Sequence, residues 1–190
     1  MSDAPIILGY DPETLRERID VDAAEARLAE IAVLRSLSAL NEKVALLRML
    51  GRLDEAFDTA QTAYRQSRFT GAREDALAAR VRKAQVQQFQ GKHDVALQDL
   101  TGCVDEALTH EWDELAAFAL QHRGKVRFEQ REYTDALVDF ERAHELRLAR
   151  GVAADQLQSS KFAIRVTRAI LEGDEEPSSE LSEPITSIDS

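Results

Sequence analysis

The sequence predicts an all-α protein built as a solenoid of stacked helix pairs, and three observations carry that prediction. A small residue returns every forty positions, at Ala56, Ala96 and Ala136, and each copy closes on another small residue seven positions later, at Ala63, Cys103 and Ala143. Apolar residues keep the same register, Phe57, Leu97 and Leu137 one step on and Ala60, Leu100 and Phe140 four steps on. A repeat of that length marks supersecondary units that bury their apolar faces only against their neighbours. The third observation is composition: four prolines and eight glycines in 190 residues leave long stretches of Ala, Leu, Arg, Glu and Gln, which are strong helix formers.

The elements follow in order. The first ten residues, MSDAPIILGY, carry no period and are expected to form a loosely held arm. Asp11-Pro12-Glu13 reads as a helix start, an acidic N-cap followed by a proline that needs no backbone N–H, with a short helix running to about Ile19. Asp22 and Glu25 resemble a capping box. From there Leu28, Ile31, Leu34, Leu37, Leu40, Val44, Leu47 and Leu50 step by three or four, which predicts one helix over 23–50, with Val33 the point where it would break.

Gly51, Gly91 and Arg131 occupy equivalent places and predict tight helix-to-helix turns; Gly71, Glu111 and Gly151 separate one unit from the next. Second helices are predicted near 53–69, 93–110 and 133–150, and later first helices near 72–90, 112–130 and 152–171. The last segment, EGDEEPSSELSEPITSIDS, is too polar to offset its own ordering entropy. The chain therefore divides into an arm and capping segment over 1–32, a solenoid over 33–171 and a disordered acidic tail over 172–190.

These residues resemble the tetratricopeptide repeat (TPR) family in its longer forty-residue form. The third copy, HRGKVRFEQREYTDALVDFERA from His122 to Ala143, matches best: Gly124 fills the small slot of the first helix, Tyr133 the aromatic at the turn, and Ala136, Phe140 and Ala143 the packing slots of the second. The second copy supplies Ala84, Gly91, Ala96, Leu100 and Cys103, and the first Val44, Gly51, Leu53, Ala56, Ala60 and Ala63. Two slots depart from the family pattern. Lys43, Lys83 and Arg123 stand where a large apolar residue is expected, and Gln87 and Arg127 where an aromatic is. The resemblance implies a right-handed solenoid of about three TPR-like helix pairs plus an unpaired closing helix, whose first helices line a concave groove that binds a peptide or partner protein.

Carried over slot by slot, the resemblance places Asn41, Ala45, Arg48 and Met49 in that groove, then Val81, Gln85, Gln88 and Phe89, then Phe118, Gln121, Lys125, Phe128 and Glu129. The closing helix adds Lys161, Arg165 and Arg168, which are four and three apart and so share one helical face. Five cations against Glu129 make the expected groove basic, suited to an acidic partner. Two readings stand for Lys161, Arg165 and Arg168, the solvated face of a terminal helix or a clamp for acid. Phe89, Phe118 and Phe128 are likewise core residues or groove pockets.

Charge narrows the partner classes. The net charge of −11 argues against nucleic acid, whose binding draws on basic residues meeting phosphates. Seven acids lie between Glu172 and Ser190, and removing them from the total leaves −4 on the rest. No run of apolar residues is long enough for a membrane span, and the start of the chain lacks a signal-like pattern, so a soluble, cytoplasmic protein is expected. Single Cys103, on the small-residue stripe, reads as a buried inert thiol, and Trp112 as packing beside a unit junction.

His93, His110, His122 and His144 lack the spacing of a metal site, and no phosphate loop or nucleophile motif appears. The sequence thus predicts a protein that is not an enzyme, with no cofactor and no metal. The alternative to a plain interaction module is a regulatory TPR protein switched by a small effector or by its own acidic tail. The apolar side of the closing helix (Leu157, Ala163, Ile164, Val166, Ile170) further suggests a cover: a partner, the arm, or a second copy in a weak homo-oligomer.

Overall fold

The computed structural model describes residues 5–70, 73–152 and 154–173. A two-stranded hairpin, β1 (Ile7–Tyr10) and β2 (Glu17–Ile19), leads into eight helices: α1 (Val21–Glu30), α2 (Leu37–Met49), α3 (Leu53–Thr70), α4 (Arg73–Phe89), α5 (His93–Thr109), α6 (Asp113–Glu129), α7 (Tyr133–Arg150) and α8 (Ala154–Glu172). Each helix from α2 onward packs on the next, and α2–α4 and α4–α6 also touch across the pairs. The fold is a helical-repeat solenoid, with α2, α4, α6 and α8 as first helices and α3, α5 and α7 as second helices.

The small-residue stripe is where the helices meet. Ala56, Ala60, Ala96, Cys103, Ala136 and Ala143 are all buried to 1% exposure or less. Burial pushes the Cys103 thiol up to about 11, so it stays protonated. The tightest crossing is at Gly124, where an added Cβ would lie 2.6 Å from Cε1 of the fully buried Phe140 ring.

The forty-residue register extends to the turns. Gly51, Gly91 and Arg131 take left-handed φ angles of 75°, 75° and 65°. The residue after each returns a backbone N–H to the helix it leaves: Arg52 to Leu47, Lys92 to Gln87 and Glu132 to Arg127, all at 2.9 Å. Glycine adopts this conformation freely, whereas Arg131 and Glu111 (φ 57°) hold it against a side-chain clash.

The basic residues in the expected apolar slot are explained by what faces them. Lys83 meets Asp99 at 3.3 Å, and forty residues on Arg123 meets Asp139 at 2.7 Å, so each half-buried side chain has its head paired within the helix pair. Arg127 also reaches Asp139, at 2.9 Å, filling the aromatic slot with an ion pair. The first copy has Thr59 at the acidic position, and Lys43 instead donates to the carbonyls of Ala32 and Leu34, both at 2.7 Å.

That pair of bonds marks a correction. Residues 23–50 are two helices, because Ile31 ends α1 and the Ser36 side chain caps α2, accepting from the Ala39 N–H at 3.2 Å. Leu34 is consequently exposed and leaves the stripe.

The start of the chain departs further from expectation. Asp11 does cap a turn, its Oδ1 accepting from the backbone of Glu13 and Thr14 at 3.0 and 2.8 Å, but no helix follows. Leu15 takes φ 56° and reverses the chain, so residues 7–10 and 17–19 pair as antiparallel strands. The left-handed conformation costs about 1–2 kcal/mol. Burying the leucine side chain, here 1% exposed against Phe128, Phe140, Ala163 and Val166, contributes about 1.5–3 kcal/mol in return. Tertiary burial therefore overrides the local helix signal. The predicted tail lies outside the described residues from 174 onward.

Two substitutions of one kind should move in opposite directions. Gly102 faces only the end of the flexible Arg80 side chain, at 3.4 Å, so Gly102→Ala should gain about 0.5–1 kcal/mol of helix propensity. Gly124→Ala should lose about 1–3 kcal/mol by overpacking Phe140. Urea unfolding of both variants checks this, and equal shifts would show that the α6–α7 crossing gives way.

Candidate functional site: the concave face and its hairpin

The first helices turn one face toward the hairpin, which crosses the array. Ile6 and Ile19 pack with Ala24, Ile31 and Leu46 at the α1–α2 end, while Leu15 packs on α6, α7 and α8 at the other. Tyr10 lies 5.7 Å from the Phe162 ring of α8. Two strands alone are marginal in water, and this pair gains its order from the helices beneath.

The charged contacts between hairpin and helices are concentrated in two residues. Glu17 takes Arg48 of α2 at 3.0 Å and Lys125 of α6 at 3.5 Å, with all three side chains at 10% exposure or less. Burial alone would raise the Glu17 carboxyl, but Lys125 and Arg48 outweigh it and hold it well below the usual carboxylate range. Beside it Arg16 pairs with Glu129 at 2.9 Å and stacks over Phe89 at 4.3 Å. Arg48 covers the same ring at 4.5 Å, so Phe89 is in cation–π contact with two guanidinium groups.

Between the hairpin and α4, α6, α7 and α8 a cleft of about 830 Å³ remains. Its walls include Tyr10, Arg82, Phe118, Gln121, Lys125 and Arg147. Arg82 stacks on Phe118 at 5.2 Å, and Phe118 meets the His122 ring edge-on at 5.0 Å. Burial, followed by the nearby charges of Lys125 and Arg48, pushes His122 well below its ordinary value and leaves it neutral. Burial also lowers Lys125 and Arg82. Gln121 accepts from Arg147 at 3.2 Å through Oε1, while its Nε2 is buried with no partner, as is Nη1 of Arg82.

The groove candidates thus fall into six places. Phe118, Gln121 and Lys125 line the cleft. Arg48 and Phe89 form the seat of the hairpin, and Phe128 lies in the core beneath Leu15. Val81, Gln85 and Gln88 are buried within the stack, and Asn41 borders a shallower depression with Ala45, Asp75 and Arg82. Lys161, Arg165 and Arg168 do not join them. They line a separate depression between α7 and α8 with Glu141, His144 and Glu145, and Arg168 pairs with Glu141.

Sequence reasoning did not single out Tyr10, Arg82, His122 and Arg147 for the cleft, or Glu17 as its closing acid. The arm carried part of the missing signal, Tyr10 at the end of a segment with no helical period, whereas the Leu-Arg-Glu run lay within the helix predicted from Asp11. Among the described residues no helix is long and apolar enough to cross a membrane, and no group of His, Cys, Asp and Glu is placed to hold a metal.

No family model and no curated relative matches the chain. Two solved structures are similar in outline. One is a kinesin light chain protein of Podosopora anserina with nearly identical TPR-like repeats, at 18% identity and TM-score 0.49 over 85% of this chain and 81% of that one. The other is BtubC (BKLC) from P. vanneervenii, at 15% identity and TM-score 0.49 over 83% of this chain and 75% of that one. The chain is a TPR-like helical repeat. That statement rests on its own helix order and on the forty-residue register of its turns and ion pairs.

Acid should weaken this fold in two stages. His122 is half-buried and held neutral, so the unfolded chain takes up its proton first, and stability falls as pH drops through about 6.5. Glu17 has a depressed folded value, so its contribution is complete above about 4.3 and is lost below it. Glu17→Gln should remove the second stage and, by stranding two buried cations, cost about 3–5 kcal/mol at neutral pH. Urea unfolding at pH 7.5, 5.5 and 3.5 checks both stages.

Proposed function

We propose that the protein is a non-catalytic, cytoplasmic interaction module that takes an acid-bearing segment of a partner protein in the cleft between the hairpin and α4, α6, α7 and α8. The observation that carries this is a mismatch of donors and acceptors. Arg82, Lys125 and Arg147 line the interior; Glu17 there is already engaged by Arg48 and Lys125, Asp75 acts on Arg82 from the rim, and Arg147 is held by Gln121 and Ser160. Gln121 Nε2 and Arg82 Nη1 are buried donors without acceptors. A buried donor without a partner costs about 1–3 kcal/mol, which an incoming carboxylate or backbone carbonyl recovers once the side chain turns toward it.

The rim has the opposite sign. Glu74, Asp75, Glu111, Asp113 and Glu114 gather at the starts of α4 and α6, so a segment acidic at one point and basic at the next would be held in one direction. A second reading, a small anionic effector in the same cleft, is favoured by the volume, since about 830 Å³ lies within the range of small-ligand pockets.

Selection from a random decapeptide library tests the first reading. Acid-containing peptides should be enriched, should bind more weakly as salt rises, and should lose about tenfold or more in affinity against Arg82→Glu. Peptides that bind Arg82→Glu as well as the parent would place the interaction elsewhere.

A further inference from the structure

We infer that the hairpin is a displaceable occupant of the concave face, and that its Leu15-Arg16-Glu17 run spells out the partner the seat beneath it accepts: a turn-bearing segment with leucine, a basic residue and an acid in succession. This deepens the cleft reading above and rests on the concave face being an interaction surface.

Three consecutive arm residues enter three subsites of different chemistry. Leu15 fills an apolar pocket of Phe128, Phe140, Ala163 and Val166. Arg16 lies over the Phe89 ring and binds Glu129, which His93 also meets at 2.9 Å. Glu17 enters between Arg48 and Lys125. The order apolar, basic, acidic is therefore read by α2, α4, α6, α7 and α8 together, and reversing either charge places like against like in a buried site. Leucine in the left-handed conformation adds a shape requirement, because the chain must turn there, as the Asp11-capped loop makes it do.

The hold on the arm is of a kind that a competitor can replace. Its one fully buried apolar anchor is Leu15, its other apolar contacts, Ile6, Ile19 and Tyr10, are only partly buried, and a buried ion pair contributes little net stability once its desolvation is counted. Arg16 is 36% exposed. A tethered arm has the advantage of high effective concentration, so a partner must bring contacts the arm does not make. The adjoining cleft offers them at Arg82 and Gln121, where donors lack acceptors. A partner segment that seats its own leucine, base and acid and then continues into the cleft gains what the hairpin leaves unused.

The test uses the full chain carrying Leu15→Asp with Glu17→Arg, which removes both anchors, and a fluorescein-labelled peptide of residues 5–20 as probe. Trypsin should cut the variant within the arm while circular dichroism shows its helices intact. The variant should bind the peptide at least tenfold more tightly than the parent protein does, and a peptide carrying the acid-to-arginine change should lose that gain. A folded variant that binds both peptides alike, or that dimerises and leaves the peptide unbound, overturns the inference.

Should the variant unfold, hydrogen exchange on the parent protein decides. The amides of Asp11, Leu15 and Asp20 should exchange at least a hundredfold faster than the centres of α4 and α6, reporting local release. Exchange of the arm only with global unfolding overturns the inference. The two proposals fail separately: library peptides that depend on Arg82 without binding by the arm peptide leave the cleft reading standing alone.

Discussion

The three-way contact of Glu17 with Arg48 and Lys125 is the constraint on which the shape of the concave face depends. A stack of helix pairs is nearly one-dimensional, each unit held by its neighbours, so nothing in the repeat itself fixes how strongly the array curves. Glu17 supplies a link of another kind. It joins α2 to α6 across the face, passing over α4, and the apolar ends of the hairpin extend that link from α1 to α8. The cleft exists because the hairpin spans the face without filling it.

The same contact sets the electrostatics of the cleft. Three charged groups taken out of water cost far more than they recover unless they satisfy one another, and here one carboxylate serves two cations. The region keeps a positive excess that is tolerable only because Glu17 is present. His122, next to this cluster, is forced neutral by burial and by the same cations, and it meets the Phe118 ring in a T-shaped contact without adding a further charge. On a chain of net charge −11, the interior of the cleft is thus a local reversal of sign, set between an acidic rim and an acidic exterior.

Much of the solenoid was legible because its signals are local and repeated. The recurrence of Ala56, Ala96 and Ala136 placed the tight crossings, and Gly51, Gly91 and Arg131 placed the turns, so α7 begins and ends at the residues expected from pattern alone. The ion pairs in the apolar slots were half legible. Lys83 and Arg123 were visible as departures, yet each acquires meaning only from Asp99 or Asp139 on the following helix, sixteen residues on. The candidate groove residues were named by slot alone, and slots cannot reveal that an arm covers Phe89 or that Lys161, Arg165 and Arg168 line a depression between α7 and α8.

The arm shows why the remainder was not legible. Asp11-Pro12-Glu13 is a sound helix start, and the bonds it predicts are present for one turn. What ends the turn is a leucine in a conformation its side chain disfavours, stabilised by a pocket assembled from α6, α7 and α8, more than a hundred residues away in sequence. No window of local pattern contains that pocket. The lack of period over the first ten residues was nonetheless information: in a chain where almost every segment repeats, a segment that does not is free to serve the face rather than the stack. The residues that break the repeat, Tyr10 and Leu15 to Glu17, are the ones that meet the concave surface, and it is there that the physical character of the site is decided.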